Sequence, residues 1–332
     1  MSVRDPTFNA VLIASVTESA PLMKNRPHRF VHMQLVIKFR TTALRIFSTL
    51  CWFSLFSSFA AQAHEFWLMP QSFDVPPTEP FQLELRVGAG WPGESLGRNP
   101  AYIERFGLLD AKGERRIGGQ PGGDPAGVVA APTPGTVWAV FRSKHSAITL
   151  EAAKFESYLR DEGLENIIEA RRLNGTSDAS AREMYSRCAK SLLRVGASSK
   201  QQAALLKRNT GLTLELIPQT DPQQLRGGGA FTVQLLYLNK PLQGALVKAL
   251  PQMVVGAADA ADAAKVAKAA QITGRTDDQG RVTLPLSHGG VWLINAVHMV
   301  AAAPQLNADW ESVWSSLTFE VPQPQAAVPT LR

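Results

Sequence analysis

Cysteine is scarce in this sequence, which contains only Cys51 and Cys188. Cys51 lies in a hydrophobic stretch that we expect to be removed on export. The remaining chain then holds a single thiol and cannot form an intrachain disulfide, so its stability must come from a hydrophobic core. Cys188 lies in an amphipathic stretch, where a cysteine usually behaves as a small buried apolar residue, and we predict that role for it.

Several sequence signatures of enzymes are also absent. The chain has no H-E-x-x-H zinc motif, no phosphate-binding loop and no C-x-x-C redox motif. The glycine run 227–229 precedes a predicted strand and not a helix, which indicates a linker rather than a nucleotide site. A His-rich segment of the kind found in metal-storage proteins is missing as well, which argues against storage. We predict that the protein is not an enzyme.

The most hydrophobic stretch is residues 46–60, fifteen residues without a charge. A membrane-spanning helix needs about 20 apolar residues, so this stretch is short for one. Arg40 and Arg45 precede it, and Ala61 and Ala63 fit the small-residue positions of a cleavage site. We predict a cleaved secretory signal peptide that ends at Ala63 and a periplasmic location; a retained signal anchor is the alternative.

The predicted leader, residues 1–63, carries most of the excess positive charge. It contains seven of the 34 Lys and Arg residues and two of the 28 Asp and Glu residues, which leaves 27 and 26 in the other 269 residues. The net charge falls from +6 to +1, so we predict no nucleic-acid binding. A chain of this length makes one large domain or two ordinary ones. Residues 1–32, ahead of Met33, fit an over-extended start.

Alternating apolar and polar residues indicate β-structure at both ends of the exported chain. Over 64–150, short strands separated by Gly- and Pro-rich turns are typical of a β-sandwich. Over 211–321, seven short strands fit an immunoglobulin-like sandwich, and PLQGALVKAL, TGRTDDQGRVTLPL and GGVWLINAV resemble transthyretin-like or carboxypeptidase-regulatory modules. We predict a mainly β fold of two immunoglobulin-like β-sandwich domains with a helical segment between them and a tail at 322–332.

The segment between the two sandwiches, 151–210, is predicted to be a helical bridge or insertion. Apolar residues recur at helical spacing over 152–172, and Asn174-Gly175 is expected to end that helix. A second amphipathic run, 181–195, fits either a helix or a long strand, and we favour a helix that runs into a strand. The Ala-rich stretch 256–270 is predicted to be a peripheral loop.

Cleavage after Ala63 would make His64 the first residue of the chain. His64 then offers two nitrogen donors, the α-amine and the imidazole Nδ1, which can chelate one metal ion as a histidine brace. Such nitrogen-rich ligand sets suit Cu(II) or Ni(II). The apolar residues 66–68 would fix the terminus to the fold and prevent fraying. A histidine that follows a cleavage site by chance is the alternative.

Three other histidines remain after cleavage. His298 ends a predicted strand and shares the apolar face of that strand, which fits either a core histidine or a metal ligand. His288 lies in a predicted turn and is expected to be exposed to solvent. His145 lies beside Arg142 and Lys144, whose positive charges oppose metal binding.

A family resemblance is carried by four parts of the sequence: AHEFWLMP, KFESYLRDEGL, YSRCAKSLLRVG, and AVHMV with DWESVWSSLTFE. In this order they resemble blocks of a family of bacterial periplasmic proteins of uncertain function, often described as nickel or cobalt uptake components. The resemblance covers residues 64–321 and implies His64 and His298 as candidate metal ligands, with a membrane metal transporter as partner. It also marks Tyr185, Arg187 and Lys190, for which packing and ion pairing are expected.

The leading prediction is a periplasmic protein that binds nickel or cobalt and assists uptake of the ion by a membrane transporter. We expect His64 and His298 to lie within several ångströms of each other around one ion, because a two-nitrogen chelate leaves positions for a further protein ligand. The alternatives are a copper-binding histidine-brace protein or enzyme, and a non-catalytic sandwich interaction module. Asp309 and Glu311 offer further carboxylates, although a solvated loop is expected there.

Overall fold

The computed structural model describes residues 64–131, 133–196, 202–252, 266 and 269–324. The predicted signal peptide, nearly all of the Ala-rich stretch 256–270 and most of the tail lie outside these residues. In the part of the chain that the structure describes, no helix is both long and apolar enough to span a membrane.

The chain folds mainly into β-strands, which confirms the predicted fold class. The amino-terminal strands are β1 (Glu65–Pro70), β2 (Asp74–Val75), β3 (Pro80–Gly88), β4 (Glu94–Leu96), β5 (Ile103–Asp110), β6 (Gly113–Arg116), β7 (Gly127–Ala130), β8 (Gly135–Ser143) and β9 (Ser146–Leu150). The middle elements are α1 (Ala152–Asp161), α2 (Glu165–Leu173), β10 (Ala181–Val195) and α3 (Gln202–Leu206). The carboxy-terminal strands are β11 (Leu214–Pro218), β12 (Gly229–Tyr237), β13 (Lys240–Pro241), β14 (Leu246–Pro251), β15 (Ile272–Arg275), β16 (Arg281–Leu286), β17 (Gly290–Ala301) and β18 (Trp310–Val321). Short 3-10 turns lie at Pro222–Gln224 and Pro304–Leu306.

Three sheets organise the described residues. A ten-stranded sheet runs in the order β15-β14-β17-β18-β10-β8-β5-β6, and β2 and β9 also pair with β10. One four-stranded sheet contains β1, β3, β4 and β7, and the other contains β11, β12, β13 and β16. At the centre of the large sheet, β10 and β18 pair in parallel, from Glu183 opposite Trp310 to Ser191 opposite Thr318.

The two small sheets cover opposite faces of the large one, so two sandwiches share one sheet. Along β10, Cys188 and Leu192 join the core that includes β11 and β12, whereas Ala189 and Leu193 join the core that includes β1 and β3. We call these the β12 face and the β1 face. The ten-stranded sheet takes strands from all three predicted segments, so the predicted limits at residues 150 and 210 do not separate one sheet from another.

The stretch 181–195 forms a strand over its whole length, so the favoured prediction of a helix that runs into a strand was wrong. A strand that is buried on both faces carries apolar residues on both sides and loses the period of two that identifies a half-buried strand. Because β10 also has strands along both of its edges, its backbone hydrogen bonds are made within the sheet.

The helix predicted over 152–172 is divided into two helices, α1 and α2. Gly163 lies between them with a φ of +66°, a conformation that glycine adopts at little cost. A Cβ at this position would come within 2.7 Å of the Leu246 side chain. As predicted, the helical segment ends before Asn174-Gly175. Both helices pack on an apolar cluster that includes Trp314 on the β1 face.

Candidate functional site

His64 lies immediately before β1, and it is half-buried. Its backbone carbonyl accepts a hydrogen bond of 2.9 Å from Arg187 Nη1. The next residues, 65–68, are buried, and Thr318 Oγ1 donates a hydrogen bond of 2.8 Å to the Leu68 carbonyl. The apolar run therefore fixes the start of β1 to the large sheet, as the sequence predicted.

The Arg187 side chain is held in place by aromatic rings. Its guanidinium carbon lies 5.4 Å from the Phe66 ring centroid, 5.3 Å from that of Tyr185 and 5.9 Å from that of Trp314. Cation–π attraction at these distances restrains the guanidinium. Arg187, which the sequence marked without a chemical role, is thus the residue that orients the His64 peptide.

A buried group of three charges follows directly after His64. Lys248 Nζ lies 2.6 Å from Glu162 Oε1 and 4.0 Å from Glu65 Oε1. Burial raises the pKa of Glu162 to about 7 against the opposing charge of Lys248, and the charge of Glu65 adds to the rise. Burial raises the pKa of Glu65 as well. Two carboxyl groups share one ammonium group here, so the cluster retains a proton near neutral pH.

His298 lies on the other face of the large sheet, so the structure does not bring it to His64. Arg187, which contacts His64, stands opposite Trp314 in the β10–β18 register and shares the β1 face with it. His298 stands opposite Val313, the residue before Trp314. Successive side chains of a strand point to opposite faces, so His298 belongs to the β12 face. The joint site predicted from the sequence is not formed.

His298 lies on the same apolar face of its strand as Trp292 and Ile294, as predicted, although β17 continues beyond it to Ala301. The His298 ring packs on Tyr237 with 4.4 Å between ring centroids, and burial lowers the pKa of His298. The surroundings of His145 differ from those predicted. His145 Nε2 lies 3.0 Å from Glu311 Oε1. Arg142, one of the two cations expected to oppose a metal at His145, is paired with Glu104.

Glu311 lies within β18 and not in the solvated loop expected from the sequence, because β18 begins at Trp310. Asp309 precedes that strand and forms an ion pair with Arg182. His288 was expected to be exposed, but it is half-buried, with its ring centroid 5.1 Å from that of Trp292.

Two further predictions are confirmed. Cys188 is a buried free cysteine. Lys190 forms an ion pair with Glu215, 2.7 Å between Nζ and Oε1, and both side chains are almost fully buried. The first is an apolar core position, and the second is a structural ion pair in the core of the β12 face.

One stretch of the chain has the form G-x-S-x-G, residues 93–97, a pattern found around hydrolase nucleophiles. That motif works when the serine sits on a sharp turn between a strand and a helix. Ser95 instead lies within the short strand β4, and its Oγ donates a hydrogen bond of 2.7 Å to Asp124 on the surface. The partner of Ser95 in the described residues is this exposed carboxylate and not a histidine, and β4 is not a strand that turns sharply into a helix, so the stretch lacks the geometry of that motif.

Within the described ranges, no group of three or more His, Cys, Asp or Glu side chains is arranged to hold a metal ion. A metal bound at His64 would therefore depend on a free α-amine at that residue. Its second donor would be the imidazole of the same residue, and Arg187 holds the His64 carbonyl, which is attached to the same Cα as both donors.

The fold defines a β-sandwich protein whose candidate ligand stands at the start of the first strand. The chain belongs to the family described as Domain of unknown function (DUF4198), whose model matches residues 61–300. The matched range includes both His64 and His298. No curated protein matches the chain at a significant level.

Proposed function

We propose that this is a periplasmic protein that binds a late transition-metal ion, nickel or cobalt, at His64 and assists its uptake by a membrane transporter. The observation that carries the proposal is the fixed position of His64, whose carbonyl is bonded to Arg187 and whose neighbour Glu65 is buried. A chelating group that is already ordered loses less conformational entropy when it binds. The choice of metal and the transporter follow from the resemblance of the sequence blocks.

Metal binding requires a neutral α-amine and an unprotonated imidazole Nδ1 at His64. A free α-amine has a pKa of about 7.7–8.0, so metal binding must displace a proton and should weaken in acid. The nearby charges act in both directions. The Arg187 guanidinium opposes another cation, whereas the group of Glu65, Glu162 and Lys248 gains net negative charge as the pH rises through about 7 and Glu162 loses its proton.

The first test is the identity of the exported chain. Intact-mass measurement should give a protein of 269 residues that begins at His64, the length that remains when 63 of the 332 residues are removed. A mature chain that begins elsewhere lacks the α-amine at His64 and would rule out this site.

The second test is calorimetric titration with Ni²⁺, Co²⁺ and Cu²⁺ of chains that do or do not carry one extra amino-terminal glycine. Both chains should carry His145→Ala and His298→Ala, so that the amino terminus is the histidine site under test. We expect the extra residue, or His64→Ala, to weaken binding by about tenfold or more, which is about 1.4 kcal/mol. His288→Ala is the matched control and should change nothing. Equal affinity with and without the extension would rule out a metal site at the amino terminus and favour the alternative of a non-catalytic interaction module.

Affinity alone does not separate nickel from copper, because divalent ions generally bind nitrogen ligands most tightly at copper. Cells that lack the gene should therefore accumulate less nickel or cobalt at limiting supply and recover with the wild-type gene. Recovery should fail with His64→Ala. Normal nickel and cobalt together with disturbed copper content would favour the copper alternative.

A further inference from the structure

A second set of metal-ligating side chains lies on the β12 face, across the large sheet from His64. His298 of β17 stands opposite Val313 of β18, and Glu311 lies two residues before Val313 on the same face. Diagonal neighbours of this kind lie about 7–8 Å apart, which long side chains can span. His298 and Glu311 are therefore neighbours.

His145 approaches the same carboxylate from the other side. Its Nε2 lies 3.0 Å from Glu311 Oε1. The residue belongs to the turn before β9, and the registers of β9, β10 and β18 place Ala147 opposite Met184 and Met184 opposite Glu311. Along this end of the sheet, Glu311 thus stands between His145 on one side and His298 on the other.

Tyr237 covers the same place from the small sheet. Its ring centroid lies 4.4 Å from that of His298. Burial raises the pKa of Tyr237, and the negative charge of Glu311 adds to the rise, which indicates that this carboxylate is close to the phenol. The side chains of His145 and Glu311 remain 43% and 26% exposed, so an ion can reach them from solution.

We propose that His145, Glu311 and His298 bind a late transition-metal ion at a second site that is independent of the amino terminus. Two imidazoles and one carboxylate form a ligand set suited to Zn²⁺ and Ni²⁺, with a coordination position left open. The three side chains of this described group do not yet stand at binding distances. Binding would require the His298 ring to turn from Tyr237 towards Glu311, which already contacts His145.

The test uses the mature chain with one extra amino-terminal glycine, which blocks the terminal chelate and leaves this site intact. We expect calorimetric titration with Zn²⁺ or Ni²⁺ to show one bound ion. His145→Ala, Glu311→Gln and His298→Ala should each weaken it by about tenfold or more, since loss of even an outer-shell partner costs about 10–100-fold. His288→Ala is the control and should leave the affinity unchanged. A blocked chain that binds no ion, or binds equally well in all three variants, overturns the proposal.

A second measurement avoids substitutions altogether. In the blocked wild-type chain, substoichiometric Co²⁺ should broaden the ring-proton NMR signals of His145 and His298 together, before those of His288. Broadening of none of them, or of all three equally, would overturn the proposal. Because the amino terminus is blocked in both measurements, a negative result here leaves the proposed function at His64 standing, and the reverse also holds.

Discussion

Among the residues that the structure describes, each face of the ten-stranded sheet buries one lysine, and the two lysines differ in how their charge is balanced. On the β12 face, Lys190 has one carboxylate partner, Glu215, and lies 4.4 Å from the Trp138 ring centroid. Glu215 also accepts hydrogen bonds from the Thr210 N–H and hydroxyl and from the N–H groups of residues 211 and 212. One positive and one negative charge cancel, and both oxygens of the carboxylate accept hydrogen bonds.

On the β1 face, Lys248 has two carboxylate partners, Glu162 and Glu65. Directly opposite Lys248 in the register stands Asn295, which is fully buried and whose side-chain amide has no hydrogen-bond partner among the described residues. We call the Lys190–Glu215 pair closed, because its two charges balance, and the Lys248 group open, because its second carboxyl group makes its charge depend on pH near 7. The open group is the one that includes the residue after His64.

The largest expected effect is on the closed pair. Lys190→Met leaves the Glu215 carboxylate buried without its cation, and we expect the free energy of unfolding to fall by about 3–5 kcal/mol. Urea denaturation measures this loss. Lys154→Met on the exposed side of α1 is the matched control and should stay within about 0.5 kcal/mol of wild type. A loss at Lys190 as small as that of the control would show that the pair is not structural.

Removing the lysine of the open group should have a smaller and pH-dependent effect. Lys248→Met leaves two buried carboxyl groups, which avoid the cost of burial by taking up protons, and we expect a loss of about 2–4 kcal/mol at pH 8 and less at pH 5. Adding Glu162→Gln removes one of the two charges. The double variant should therefore unfold at higher urea concentration than Lys248→Met at pH 8. No recovery would mean that the carboxylates do not repel each other.

The pH dependence of Glu162 provides the next test. Its pKa is about 7 in the folded protein, against an ordinary value of 4.5 for a glutamate side chain in water. Between these values the folded chain binds more protons than the unfolded chain, so stability from this group is present below pH 4.5 and is lost as pH rises through 7. Relative to Glu162→Gln, wild type should lose on the order of 1–3 kcal/mol between pH 5 and pH 8. Thr318→Val, which removes no titratable group, should keep the wild-type trend.

The smallest effect is expected where β1 contacts the large sheet. Thr318→Val removes the hydroxyl that donates to the Leu68 carbonyl and preserves the side-chain shape. The same hydroxyl also lies 2.9 Å from Ser191 Oγ, and each hydrogen bond of this kind contributes about 1 kcal/mol. Thr283→Val, at an exposed threonine pair with Thr232, is the control and should cost less. Equal losses in the two variants would show that this contact does not hold β1.

The sequence predicts the fold class well because a half-buried strand has an alternating apolar and polar pattern that is visible over a few neighbouring residues. In the predicted amino-terminal sandwich, for example, Phe81 and Leu83 alternate with polar residues, and both lie in β3 with their side chains buried. The exception is β10, whose apolar residues serve two cores at once, so its pattern is compatible with a helix. Its parallel partner β18 lies far along the chain, and no local pattern predicts that pairing.

The site was harder to predict than the fold. The apolar run after His64 correctly indicated a fixed strand, but Arg187, which holds its carbonyl, is brought there by tertiary structure alone. His298 was assigned to the wrong partner because alternation gives the face of a strand relative to its own neighbours and not relative to another element. β1 covers one face of the large sheet and Tyr237 lies on the other, and this arrangement follows only from the order of the strands.

The parallel contact of β10 with β18 also has a consequence for how the protein is made. Residues that meet there are 127 positions apart in the chain, and closing a loop of that size precedes any gain from the pairing. A chain synthesised from its amino terminus therefore carries β10 for a long interval with one edge open and apolar side chains on both faces, which is a template for association with other chains. We expect refolding to be slow and its yield to fall with protein concentration, and a chain that ends before residue 310 should aggregate rather than form the amino-terminal sandwich by itself.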